Sequence, residues 1–214
     1  MTNNRSIKER KVKNMRGRTT CRFPSYKQSP HTVYTESATE TDFCYHLEAD
    51  PQVIEFISQP KGFYYWIGPE RHIYTPDFLV HYKNAPSKYF EIKVVQFLPD
   101  DFWEFFPIIQ KQSLLEGFEL ELVTDEFIYK EPVYQNIKHL HRARKNGFCS
   151  DEFRRIATFA LSNVPELTIR ELLDYAKKPD AIGMVYKLIQ EKELFFDINN
   201  IPLGPNCLVR KFND

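Results

Sequence analysis

The stretch Lys88–Phe97, KYFEIKVVQF, decides how this chain is read. Its β-branched and aromatic content makes it a strand, yet a carboxylate and an ammonium, Glu91 and Lys93, stand two residues apart at its centre. Strand side chains alternate, so Glu91 and Lys93 share one face while Phe90, Ile92 and Val94 project from the other. Two readings follow. The pair marks either the solvated face of a half-buried strand, or a metal site with a lysine beside it. The second needs further carboxylates arriving at the same place.

One arises just upstream. In YTPDFLVHY, Asp77 follows Pro76 at the start of the next strand back, with Asp77, Leu79 and His81 on one face. On neighbouring strands Asp77 sits beside Glu91. Two carboxylates held together repel unless a cation lies between them, and hard oxygen ligands suit Mg²⁺, with Mn²⁺ as its substitute. Lys93 is then placed to orient an attacking water and to stabilise charge on a phosphate. Asp77 also has a simpler reading, as a turn cap after Pro76.

Working outward, HTVYTESATETDFCYHLEADPQV reads as a helix ending before Pro51. Ser37 and Glu40 have capping-box spacing, and Phe43, Cys44 and Leu47 form its buried stripe. Glu40 is thus either a cap or, being on the core side of the helix, a third acidic member of the site. VIEFISQP is a short strand, and GFYYWIGPERHIYTPDFLVHY holds strand-like runs about Gly68-Pro69. Its aromatic run Phe63-Tyr64-Tyr65-Trp66 reads as packing, with base stacking the other possibility. His72 and His81 lack ligand spacing. A helical stretch opens at Pro99-Asp100, with Pro107 expected to bend or split it, and the strand FELELV follows. The basic helix PVYQNIKHLHRARKNG ends at Gly147.

Beyond Gly147 two or three helices precede a hairpin. Thr168 and Glu171 give a second capping box, Ile182, Val185, Leu188 and Ile189 a helical stripe, and LFFDINNIPLGPNCLV two short strands about Asn199-Asn200. The expected fold is α/β: a mixed-sheet core flanked by helices, with a small winged-helix domain at the C-terminus. The expected segments are a basic arm over 1–28, a core over 29–147 and the small domain over 148–214.

The 214 residues carry a net charge of zero, unevenly distributed. Residues 1–28 hold nine Lys/Arg against one Glu, residues 29–147 eleven against eighteen Asp/Glu, and residues 148–214 nine against ten. The arm, with Arg5, Lys8, Arg10, Lys11, Lys13, Arg16 and Arg18, suits a DNA backbone or serves as a solubilising tail. Lys138, Arg142, Arg144 and Lys145 on the basic helix are further DNA-binding candidates. The near-neutral C-terminal segment reads as a protein-contact module ahead of a DNA reader. Four scattered cysteines suggest neither disulfides nor a zinc ribbon, and no run resembles a signal peptide or membrane helix, which points to the cytoplasm.

Pro76-Asp77 followed by Glu91-Ile92-Lys93 resembles the PD-(D/E)xK nuclease superfamily. With Ser37-x-x-Glu40, Asp50-Pro51-x-Val53, Gln59-Pro60 and Tyr74-Thr75-Pro76-Asp77-Phe78, the chain is similar, from about Thr35 to Val123, to the TnsA family of bacterial transposon-end endonucleases. That resemblance implies a restriction-endonuclease-like core, Asp77 and Glu91 as Mg²⁺ ligands supported by Glu40, and Lys93 as the catalytic lysine. Some relatives have glutamine at the Glu91 position. It further implies cleavage of the 5′ ends of a transposon in double-stranded DNA, with the TnsB transposase cutting and joining the 3′ ends. The C-terminal domain would dock on the TnsC ATPase, and some relatives also work with RNA-guided targeting complexes. A stand-alone restriction or repair nuclease would share the core and metal site, whereas a non-catalytic DNA-bridging scaffold would lack metal binding.

Overall fold

The computed structural model describes residues 20–28, 30–146 and 148–212. The arm residues Arg5, Lys8, Arg10, Lys11, Lys13, Arg16 and Arg18, and Gly147, lie outside them. The chain divides into two compact units between Ile128 and Tyr129. Among the described residues no helix is long and apolar enough to cross a membrane, and Cys21, Cys44, Cys149 and Cys207 are free thiols.

The first unit begins with β1 (Cys21–Phe23) paired antiparallel to β2 (Val33–Thr35). The β2 residues belong to the stretch expected to be helical. They are extended because Val33 and Thr35 bury their side chains while bonding across to β1, and the helix starts only after Ser37. There α1 (Ala38–Ala49) is capped by the Ser37 hydroxyl, which accepts from the Glu40 amide at 3.1 Å. Phe43, Cys44 and Leu47 are buried, as their spacing requires.

The central sheet has the order β3-β6-β7-β8, formed by β3 (Val53–Ser58), β6 (Phe78–Tyr82), β7 (Lys88–Lys93) and β8 (Glu119–Thr124). The first two pairings are antiparallel and the last is parallel. A parallel neighbour needs a crossover, here supplied by α2 (Phe102–Leu115). Pro107 does not split α2. It stands on the exposed side of the helix, where water can serve the Trp103 carbonyl that a proline cannot bond. A separate two-stranded hairpin, β4 (Phe63–Ile67) and β5 (Glu70–Tyr74), turns at Gly68, whose φ of +56° suits glycine. A short helix, α3 (Asp125–Ile128), closes the unit.

Side-chain alternation along β7 sends its residues into two cores. Phe90 and Ile92 join Phe43, Cys44, Phe56, Phe78 and Val80 beneath α1. Tyr89, on the opposite face, joins Phe63, Phe106, Ile109 and Leu120. The strand is therefore covered on both sides. A solvated face for Glu91 is excluded, because its residue is only 6% exposed.

The second unit holds α4 (Val133–Asn146), α5 (Asp151–Asn163), α6 (Ile169–Tyr175) and α7 (Ile182–Gln190) with a three-stranded sheet. That sheet has the order β10-β11-β9, from β9 (Leu167–Thr168), β10 (Leu194–Phe195) and β11 (Leu208–Lys211). The expected Thr168 capping box is complete: Glu171 accepts from the Thr168 amide at 2.7 Å, and Thr168 accepts from the Glu171 amide at 3.1 Å. Val185 and Leu188 of the stripe helix are fully buried. The basic helix α4 is packed in this unit rather than with the preceding core. Buried Asn136 donates to the carbonyls of Ile198 and Ile201, both at 2.8 Å, and accepts from the Leu203 amide at 2.7 Å. A single asparagine thus ties α4 to the long loop between β10 and β11.

Candidate active site

The register that pairs Phe78 with Phe90 brings the residue before β6 opposite Glu91. That residue is Asp77, and its side chain continues the ladder where the backbone of β6 stops. Its Oδ2 accepts from the Ile92 amide at 2.8 Å, and its Oδ1 accepts from the Gln59 side-chain amide at 3.1 Å. Gln59 also donates its backbone N–H to the Asp77 carbonyl at 2.8 Å. It is buried and holds a φ of +48°, a left-handed conformation that costs a non-glycine residue roughly 1–2 kcal/mol. Strain of this kind persists where surrounding contacts over-determine it, and here those contacts fix the Asp77 carboxylate from two sides. Sequence reasoning had the signal, the Gln59-Pro60 pair, without the role.

Glu91 bonds Lys93 through Oε1, while Oε2 is buried with no hydrogen-bond partner. The Tyr74 phenol lies against this carboxyl outside full hydrogen-bond geometry to Oε2, and burial first, then the Glu91 charge and a weak hydrogen bond toward Glu91, keep that phenol protonated. Burial and then the Asp77 charge push the Glu91 carboxyl up to about 7, against the lowering effect of Lys93. Asp77 is raised as well, by burial, with Lys93 and its two amide donors opposing. Lys93 is held above its ordinary value: burial works against its charge, and Glu91, Asp77 and Glu40 outweigh that.

Glu40 comes from the first turn of α1. Its carboxylate accepts from the Glu36 amide at 2.9 Å and from the Ser37 hydroxyl at 2.8 Å, so the capping reading holds in part. The same side chain is 7% exposed and is pushed up to about 7, by burial first and by the Asp77 charge second. It therefore caps its helix and also feels the site. His81 instead bonds Ser87 at 2.7 Å, and His72 lies against the Tyr65 ring.

Three carboxyl groups and one ammonium thus share a buried electrostatic neighbourhood. Among the described residues no three acidic, histidine or cysteine groups already stand at metal-holding spacing. The donor chemistry nevertheless fits a hard divalent cation. The groups are oxygen donors, and a buried carboxylate oxygen without a hydrogen atom to accept is the kind of atom that a cation satisfies.

The polypeptide leading to Asp77 is also clamped. A Cβ on Gly62 would lie 2.2 Å from the Tyr74 carbonyl oxygen and 2.9 Å from the Thr75 hydroxyl, so only glycine lets the two segments approach. Gly62→Ala should lower stability by about 1–3 kcal/mol, as overpacking does. Thermal melting measures this, and an unchanged midpoint would show that the clamp yields without cost.

Of the second group of candidates, Lys138 bonds the Tyr134 hydroxyl at 2.7 Å and lies over its ring. Arg142 and Arg144 are exposed on α4, and Lys145 lies near the end of that helix. All four belong to the second unit and not to the one containing Asp77.

No protein-family model matches the chain, and no curated protein matches it.

Proposed function

We propose that this protein is a TnsA-like, Mg²⁺-dependent DNA endonuclease that cleaves the 5′ ends of a transposon in concert with a TnsB transposase and a TnsC ATPase. The observation that carries this reading is the meeting of Asp77, Glu91 and Lys93 where β6 begins and β7 ends. There the Glu91 carboxylate is buried with one oxygen unpartnered. A buried acceptor without a full hydrogen-bond partner costs stability, and a bound cation at this place would offset that cost.

Asp77 and Glu91 would hold the ion, with Glu40 close enough to add negative charge. Bound there, Mg²⁺ would offset charge on the phosphoryl oxygens and lower the cost of deprotonating an attacking water. Gln59 and the Ile92 amide hold Asp77 in one orientation, so no reorganisation is needed at the moment of reaction. Lys93 is 36% exposed at its side chain and tethered to Glu91, which keeps a protonated amine at the mouth of the site to orient water and face the phosphate. The second unit, with its helices backed by a three-stranded sheet, suits a winged helix that docks on a protein partner.

The test is cleavage of labelled transposon-end DNA by the full chain with and without TnsB. Mg²⁺ or Mn²⁺ should support cutting and Ca²⁺ should not, because its larger, flexible coordination shell does not impose the same geometry. Lys93→Ala should remove most activity, and because it leaves the buried Glu91 carboxyl without its partner, its melting midpoint should fall below the parent's at pH 8 and approach it near pH 5, where Glu91 is protonated. Cleavage in the presence of a chelator would overturn the reading.

A further inference from the structure

The hairpin of β4 and β5 has two unlike faces. Cross-strand partners share a face, and the ladder pairs Phe63 with Tyr74, Tyr65 with His72 and Ile67 with Glu70. Those residues make the inner face: Phe63 is buried in the α2-side core, and Tyr65 and Tyr74 pack against it. The other face is formed by Tyr64 with Ile73 and Trp66 with Arg71. Trp66 is 47% exposed and Ile73 41%, and the Arg71 guanidinium lies 4.5 Å from the centre of the Tyr64 ring. This outer face carries one cation and no carboxylate, because Glu70 belongs to the inner face.

The placement gives these residues an occupant. β5 runs into Asp77 through Thr75 and Pro76, so Arg71 is six residues from the site, at most about 20 Å along an extended chain. That is the length of roughly six nucleotides of DNA. An exposed indole beside a guanidinium spread over an aromatic ring matches the planar, sequence-tolerant surfaces on which unpaired bases stack, with the cation free to face a phosphate. Resting on the nuclease reading above, we infer that the outer face of this hairpin is a stacking platform for an unpaired base of the DNA strand beside the cut, with Trp66 as the stacking residue and Arg71 as the phosphate contact.

The chain has two tryptophans, Trp66 and Trp103, so a Trp103→Phe background leaves Trp66 as the only indole reporter. The experiment titrates this full-length protein, in chelator to prevent cutting, with a 20-nucleotide single strand and with a blunt duplex of the same sequence. Expected are quenching of Trp66 by the single strand and a loss of single-strand affinity of about 5- to 150-fold in Trp66→Ala, the range for one stacked base. Trp66→Phe should recover most of that affinity, and Arg71→Ala should reduce the slope of log affinity against log salt by about one. All three variants should melt like the parent, because the altered side chains are exposed. Unchanged fluorescence and affinity would assign this face to a protein partner and overturn the inference. Quenching without any cleavage activity in Mg²⁺ would leave the platform standing and remove the nuclease reading, so the two can fail separately.

Discussion

Replacing Glu91 by glutamine should raise the stability of the protein at pH 8 in chelator and, on the nuclease reading, weaken Mg²⁺-dependent cleavage without abolishing it, since glutamine stands at this position in some proteins that the chain resembles. The two effects have one cause. The Glu91 carboxyl titrates at about 7 in the folded chain, against an ordinary 4.5, because burial and the Asp77 charge oppose its ionised form. The folded protein holds that proton more tightly than the unfolded chain does. This contribution to stability is complete below the unfolded value and is lost as pH rises through about 7. Glu40, also raised to about 7, adds to the same trend. At pH 8 both carboxylates are charged in a buried place, and glutamine removes one of them while keeping its shape. With about 1.4 kcal/mol for each pKa unit, the gain is roughly 1–3 kcal/mol. It should vanish near pH 5, where Glu91 is protonated and already resembles an amide. The measurement is a series of thermal melts from pH 5 to 8.5. The parent midpoint should fall across pH 6–8 more steeply than that of Glu91→Gln, and Mg²⁺ should restore only the parent. A variant less stable than the parent at pH 8 would mean that the Lys93 pair is worth more than the charge it neutralises.

On the proposed reading, the second large effect concerns the product of transposition. If this chain cuts only the 5′ ends, Asp77→Ala should leave TnsB free to cleave and join the 3′ ends, so that the element becomes attached to its target while still held to the donor. Replication resolves such a branched molecule into a fused donor-target product. The variant should therefore convert simple insertions into cointegrates rather than stop transposition. Asp77 is the residue to change because its two oxygens organise Gln59 and the Ile92 amide, and no other carboxylate in the described residues occupies that position. Long-read sequencing of insertion products decides the matter. Mainly simple insertions from Asp77→Ala would show that this carboxylate is not needed for the 5′ cut, while a parallel melt separates loss of chemistry from loss of fold.

Much of the first unit was legible in the chain itself, because its signals are local. Ser37 caps α1, the Phe43, Cys44 and Leu47 stripe is buried, and Gly68 turns a hairpin, while in the second unit the Thr168 capping box is complete, each through contacts within a few residues. Alternation along β7 correctly put Glu91 and Lys93 together, and they form an ion pair. Whether that face met water was not written in the alternation. It depends on the hairpin and α2, whose Phe63, Phe106 and Ile109 cover the neighbouring Tyr89. Composition likewise identified α4 as a basic helix but not its unit, since Asn136 bonds to residues more than sixty positions away. Val33–Thr35 reads as helix by continuity with α1 and is extended because β1 offers it a partner. The sequence by itself thus determined most of the elements, their caps and the acidic residues with their lysine, all set by spacing along one chain. Only the tertiary structure decided the burial that raises Glu40 and Glu91, the hold of Gln59 on Asp77 and the outward turn of Trp66, because desolvation and cross-strand contact are properties of segments brought together from far apart.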